Sequence, residues 1–167
     1  MPTTIRQFNS EGGFGVNQTP IISSTFDLKN VNTFELKNSN YTDASRKDYI
    51  LKGTNTTILT LDGSALIPVA SGTINFITSN IIGVNPTGAG YYSVKIESAA
   101  SCSSSGVITI LSELVTIIKD SIPTGQTWTA VSYTAGAANT FSYSTARSGT
   151  TDLIKWFAAT QITSVVW

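Results

Sequence analysis

Histidine occurs nowhere in the 167 residues, which removes the commonest general base and the commonest metal ligand together. Ser-His and Cys-His triads therefore cannot form within the chain. A single cysteine, Cys102, excludes an intramolecular disulfide and leaves no Cys/His set for zinc. Its neighbours Ala100, Ser101 and Ser103 supply neither a base nor a metal partner, so it reads as an inert thiol. Charge is scarce as well, at 12 % of residues, about half the ordinary share. Ten basic residues balance ten acidic ones, and a chain with no net charge has no field to draw it to nucleic acid or an anionic membrane. A neutral, weakly charged surface instead favours association.

Long apolar runs are missing too. The longest uncharged stretch, Gly63 to Val94, is broken by Pro68, Gly72, Asn75, Asn80, Gly83, Asn85 and Pro86 before 18 apolar residues accumulate. Met1 to Ser10 carries Arg6 with no apolar run behind it, so no signal peptide is expected.

Hydroxyl residues fill the space that charge leaves. There are 25 Thr and 21 Ser, against a hydrophobic fraction of 41 %. Hydroxyls compete for backbone hydrogen bonds and Thr is β-branched, so this mixture disfavours long helices and favours strands joined by polar turns. A chain of this length suits one domain, or a small domain with an arm, and buries roughly two-thirds of its unfolded surface on folding.

Eleven charged residues fall in the first 52 positions and nine in the other 115, placing a composition shift near Gly53. The expected organisation is residues 1–52 as an N-terminal arm with short strands, an attachment region, and residues 53–167 as a β-sandwich domain. Met1 to Pro20, with Gly12, Gly13 and Gly15, reads as an irregular extended arm. Strands are expected at Ile21 to Phe26, Thr33 to Leu36 and Tyr49 to Lys52, and a single turn at Tyr41 to Lys47.

From Thr56 onward strand follows strand. Thr56 to Leu61 stops at Asp62-Gly63, a hairpin signal because both residues tolerate positive φ. Thr73 to Val84 stops at Asn85-Pro86-Thr87-Gly88. Tyr91 to Glu97 sets Tyr92, Val94 and Ile96 on one face, the period of a strand. A loop at Ser101 to Gly106 precedes Val107 to Asp120, where a helix over Ser112 to Lys119 competes with a strand. The β-branched run Val115, Thr116, Ile117 and Ile118 favours the strand. Further strands are expected at Thr127 to Tyr133, Thr140 to Thr145, Asp152 to Ala158 and Gln161 to Trp167, the last two joined by a tight Ala159-Thr160 connection. This spacing, with no helices between, predicts an all-β fold: an antiparallel β-sandwich or jelly-roll-like domain with an extended N-terminal arm.

Gly12-Gly13-Phe14-Gly15 lacks the lysine of a phosphate-cradling loop. Paired carboxylates could support glycoside hydrolysis across a cleft, and the candidates are Asp62, Glu97, Glu113, Asp120 and Asp152. Asp120 and Asp152 adjoin turns, where Asp serves the backbone. The sequons at Asn17, Asn40 and Asn55 are chance products of an Asn- and Thr-rich chain. The reading is of no enzyme, no cofactor and no metal. Tyr91, Tyr92 and Trp128 are candidate aromatics for a subunit interface or a glycan platform. Phe8 and Phe14, on an arm too sparse for its own core, are candidates for docking it on a partner.

Two stretches carry a resemblance. Arg6-Gln7-Phe8-Asn9-Ser10-Glu11-Gly12-Gly13-Phe14-Gly15-Val16 resembles the N-termini of small virion structural and fibre-like proteins of marine tailed phages, particularly myophages of cyanobacteria. Leu153-Ile154-Lys155-Trp156-Phe157-Ala158-Ala159-Thr160-Gln161-Ile162-Thr163-Ser164-Val165, with Tyr92-Ser93-Val94-Lys95-Ile96-Glu97, resembles a β-rich module of phage tail and fibre proteins over roughly residues 73 to 167. The resemblance implies a non-catalytic building block of the virion, often a homotrimer, attached to other virion proteins at the tail, baseplate or fibre. No coiled-coil or repeat shaft is present, which favours a small baseplate, fibre-adaptor or head-decoration part. A capsid decoration protein and a carbohydrate-binding host-attachment module are the alternative readings, and neither nucleic acid nor membrane is expected as a partner.

Overall fold

The computed structural model describes residues 14–16, 19–22, 33–38, 40–61, 63–88, 90–136 and 138–167. Twelve strands and no helix are found among them: β1 (Phe14–Val16), β2 (Thr19–Ile22), β3 (Thr33–Asn38), β4 (Tyr41–Thr54), β5 (Thr57–Ile58), β6 (Ile67–Pro68), β7 (Thr73–Val84), β8 (Tyr91–Cys102), β9 (Ile108–Ser121), β10 (Thr127–Thr134), β11 (Thr140–Ser148) and β12 (Lys155–Val166). The chain divides into two compact units, residues 1–32 and 33–167. In the first, β1 and β2 pair antiparallel, with a register shift between Phe14 and Gly15.

The second unit is an antiparallel β-sandwich. Its larger sheet has six strands in the order β3-β4-β12-β7-β8-β9, and its smaller one runs β10-β11-β5 with β6 also pairing to β11. The two inner faces share one core, in which Leu51, Ile77, Ile81, Val94, Ile96 and Ala158 of the large sheet meet Trp128, Phe141 and Tyr143 of the small one. β7 shows why these residues make strands. Thr73, Asn75, Ile77, Ser79, Ile81 and Gly83 are buried, and their alternates face outward, the period-two pattern of a half-covered sheet.

The inner face is not wholly apolar, and most of its hydroxyls and amides are paired as burial demands, the Tyr143 hydroxyl being an exception. Ser79 Oγ and Thr160 Oγ1 lie 2.9 Å apart across β7 and β12. Asn75 donates from Nδ2 to Thr73 Oγ1 at 3.0 Å and accepts from Ser164 Oγ at 2.6 Å. Asn55, at φ 60°, is a second node. Its carbonyl accepts from Trp156 Nε1 at 2.9 Å and Thr145 Oγ1 at 3.1 Å, and its side-chain oxygen accepts from the Ile154 amide at 3.0 Å. One residue thus ties the end of β4 to both sheets.

Several local expectations are corrected. Tyr41 to Lys47 is strand, because β4 is held between β3 and β12, with Arg46 opposite both Leu36 and Thr163. β4 also passes straight through Gly53, and the sheet is unbroken where composition shifts. β8 continues through Ser101 to Cys102, leaving the turn to Ser103–Gly106. Ala159 and Thr160 make no turn: β12 is one strand of 12 residues, since β4 and β7 pair with it continuously on either side. Thr73–Val84 is a strand as expected, and β9 is strand rather than helix. The expected strand at Ile21 to Phe26 overlaps β2 at Ile21 and Ile22, and its remainder lies outside the described residues.

Candidate interaction surfaces

Among the described residues β9 is an edge of the large sheet, 14 residues long, paired with β8 alone. Facing directions along it follow from its register: Val115 lies opposite Ile96 and Ile117 opposite Val94, both on the inner face, and Leu114 lies opposite Glu97 on the outer face. Ile96 and Val94 are buried, yet Val115 and Ile117 are 43 % and 56 % exposed, because the smaller sheet does not reach over the edge strand. Leu111, Leu114 and Ile118 are exposed as well, so β9 offers apolar side chains on both faces beside an unpaired backbone edge. Register shifts between Ser93 and Val94 and between Ala99 and Ala100 place bulges in the ladder around Ile118 and Leu111. The opposite edge, β3, is short and carries Glu35 and Lys37, with Glu35 ion-paired to Lys47 at 3.5 Å. Charge on a short strand is the usual protection of an edge, and β9 has neither feature in Leu114 to Ile118.

The outer face of the large sheet is a second surface. Ile50, Ile74, Phe76, Ile82, Phe157 and Val165 stand on it half-exposed. Between them runs a polar belt, in which Arg46 pairs with Asp48 at 3.4 Å, Lys95 pairs with Glu97 at 2.9 Å, and Gln161 Nε2 donates to Asp48 at 3.2 Å.

The aromatic candidates separate. Tyr91 is on the outer face and exposed, whereas Tyr92 and Trp128 are buried. Both of the buried rings sit edge-on to Trp156, Tyr92 at 6.3 Å and Trp128 at 6.4 Å between centroids. They belong to the core, so the three do not make an exposed platform. The reason is alternation: consecutive residues of β8 face opposite ways, and the inward one is covered by the second sheet. Phe8 lies outside the described residues, as does the side chain of Phe14.

The acidic candidates do not converge. Glu97 and Glu113 project to opposite faces, since Glu97 lies opposite Leu114 and Glu113 opposite Ser98 in adjacent register positions. Glu113 accepts from Ser98 Oγ at 3.2 Å, Asp120 accepts from the Ile122 amide at 3.0 Å, and Asp152 accepts from Asn85 Nδ2 at 3.0 Å. The last two serve turns, and Asp62 is outside the described residues. Among the described residues no three Cys, Asp or Glu side chains are grouped to hold a metal ion. Cys102 is fully buried, and burial pushes its thiol up.

The described residues of the second unit form shallow recesses. One of about 150 Å³ is lined by Lys37, Lys47, Tyr49, Thr73 and Ser164, and an open groove of about 350 Å³ runs beside Lys52, Thr60, Lys155 and Trp156. The first is below the size of ordinary small-molecule sites. Tyr49, at the first recess, has its phenol raised by burial and by the carboxylate of Glu35.

A β-branched and aliphatic run with no charge from Leu114 to Ile118 is compatible with a buried central strand, and only its position at the sheet margin makes it a surface. No family model, curated protein or solved structure matches the chain.

Proposed function

We propose that this protein is a non-enzymatic structural component of a tailed-phage virion, assembled through its surfaces at the tail, baseplate or fibre in contact with further copies and other virion proteins. The observation that carries the assembly part is the free edge of β9, whose apolar side chains stand exposed on both faces of a rigid sandwich. Edges of this kind are ordinarily covered in an assembly. The virion part rests on the resemblance of Arg6–Val16 and Leu153–Val165 to phage structural proteins. Carboxylates committed to turns, ion pairs and opposite sheet faces support a role without chemistry. Burial of Tyr92 and Trp128 removes two of the three aromatics that a glycan-binding reading needs.

The test is particle composition. Mass spectrometry of purified particles made from the genome that encodes the chain is expected to find it at a fixed copy number. Carrying Leu114→Lys with Ile117→Lys is expected to remove it from those particles while the isolated chain keeps its far-ultraviolet circular dichroism. Its absence from wild-type particles would overturn the virion role, and unchanged incorporation of the variant would overturn the part assigned to β9.

A further inference from the structure

The outward residues of β7 are, in order, Ile74, Phe76, Thr78, Asn80, Ile82 and Val84. Two apolar residues, two polar and two apolar form a pattern symmetric about the level of Ser79. The four apolar side chains are 37 to 53 % exposed, where a sheet face turned to water ordinarily carries polar residues. On the neighbouring strand, Glu97 stands opposite Thr78 and Lys95 opposite Asn80, so opposite charges flank the same level.

A pattern that reads the same in both directions is what a two-fold interface requires. We infer that the outer face of the large sheet is an isologous contact with a second copy of this chain, its two-fold axis lying in the face, across the strands, at the level of Ser79. That operation brings Phe76 towards Ile82 of the second copy and sets Lys95 against Glu97 of the second copy, each contact made twice, and at the margin it turns Arg46 towards Lys52 of the second copy.

The face is also large enough. Strands β4, β12, β7 and β8 have 12 to 14 residues each. At the usual rise and spacing they span roughly 40 Å by 19 Å. Two such faces bury about 1,500 Å², the size of a stable specific interface. Sheets packed face to face at the ordinary angle of about −30° keep β7 over β7 at the centre. This contact is two-fold, in contrast to the homotrimer that the phage resemblance implies, and it stands independently of the virion role.

Sedimentation equilibrium of the full chain over a wide concentration series tests it. The wild type is expected as a dimer, and Phe76→Glu with Ile82→Glu as a monomer with unchanged far-ultraviolet circular dichroism. Lys95→Glu is expected to weaken the dimer at least about tenfold, and the exchange Lys95→Glu with Glu97→Lys to restore it. If the Phe76 and Ile82 variant does not fold, the charge exchange decides alone. A monomeric wild type overturns the inference. So does a trimer, or an oligomer indifferent to both sets of changes. A monomer that still enters particles rejects this contact and leaves the virion role standing, whereas a dimer absent from particles does the reverse.

Discussion

Gly83 lies against the ring of Trp156, and a Cβ at position 83 would stand 2.5 Å from Trp156 Cζ3. No side-chain atom tolerates that separation, and Trp156 cannot retreat because Tyr92 and Trp128 meet it edge-on while its Nε1 is tied to the Asn55 carbonyl. Gly83→Ala is therefore an overpacking change in the middle of the core. It is expected to destabilise the fold by about 1–3 kcal/mol, read from urea unfolding with an unchanged slope. A loss under about 0.5 kcal/mol, the scale of a surface substitution, would show that the ring has room to move.

Asn55 separates conformation from hydrogen bonding. Its positive φ favours Gly over any residue with a Cβ, and its side-chain oxygen holds the Ile154 amide. Asn55→Gly loses only the side-chain bond, and Asn55→Ala loses the bond and adds backbone strain. The expected order of stability is wild type, then Gly, then Ala, with about 1 kcal/mol or more between the last two. Thermal unfolding of the three proteins in parallel checks this, and an Ala variant equal to the Gly variant would count against a strained position.

Tyr143 is fully buried, with its hydroxyl facing the Ser79 and Thr160 pair but making no hydrogen bond of ordinary geometry to either. An unpaired buried hydroxyl is a liability, so removing it differs from removing a partner. Tyr143→Phe is expected to be neutral or stabilising, within about 1 kcal/mol. Destabilisation beyond that in urea would mean the hydroxyl is bonded in solution.

With no histidine, the neutral range holds no side chain of ordinary titration, and the buried Cys102 thiol and the tyrosines govern the alkaline limb. Burial pushes the phenols of Tyr143, Tyr92 and Tyr49 up, with smaller contributions from the nearby carboxylates of Glu113, Asp120 and Glu35. A group whose pKa is raised on folding stabilises the fold fully below its unfolded value, near 10, and that contribution is lost as pH rises toward the folded value. Unfolding free energy is thus expected to begin falling above about pH 8.5, where the unfolded thiol ionises, and more steeply above about pH 10. Absorbance at 295 nm should show a late phase of tyrosine ionisation that coincides with loss of near-ultraviolet circular dichroism. Complete ionisation with the near-ultraviolet spectrum intact would contradict the burial of these phenols.

Much of the fold was legible from local chemistry. Thr73–Val84 is legible because β-branched Ile, Val and Thr dominate it and Asn85 follows, whose side chain accepts from the Thr87 amide at 2.9 Å in the turn. Tyr92, Val94 and Ile96 share a buried face as their spacing required. Tyr41–Lys47 was not legible, since nothing in Asp43, Ser45 and Arg46 asks for a strand; pairing to β3 and β12 imposes it.

Residue types and spacing by themselves determined that this chain is all-β, that its strands alternate, and that no histidine-based triad can form within it. Alternation states which residues share a face, because that relation is local and fixed by the two-residue period of a strand. It does not state which face is covered, because covering is a contact between segments far apart in the chain. The tertiary structure alone decided that Tyr92 and Trp128 lie inside, that Val115 and Ile117 lie beyond the reach of the smaller sheet, and that Ile74, Phe76, Ile82 and Val84 are left on an outer face.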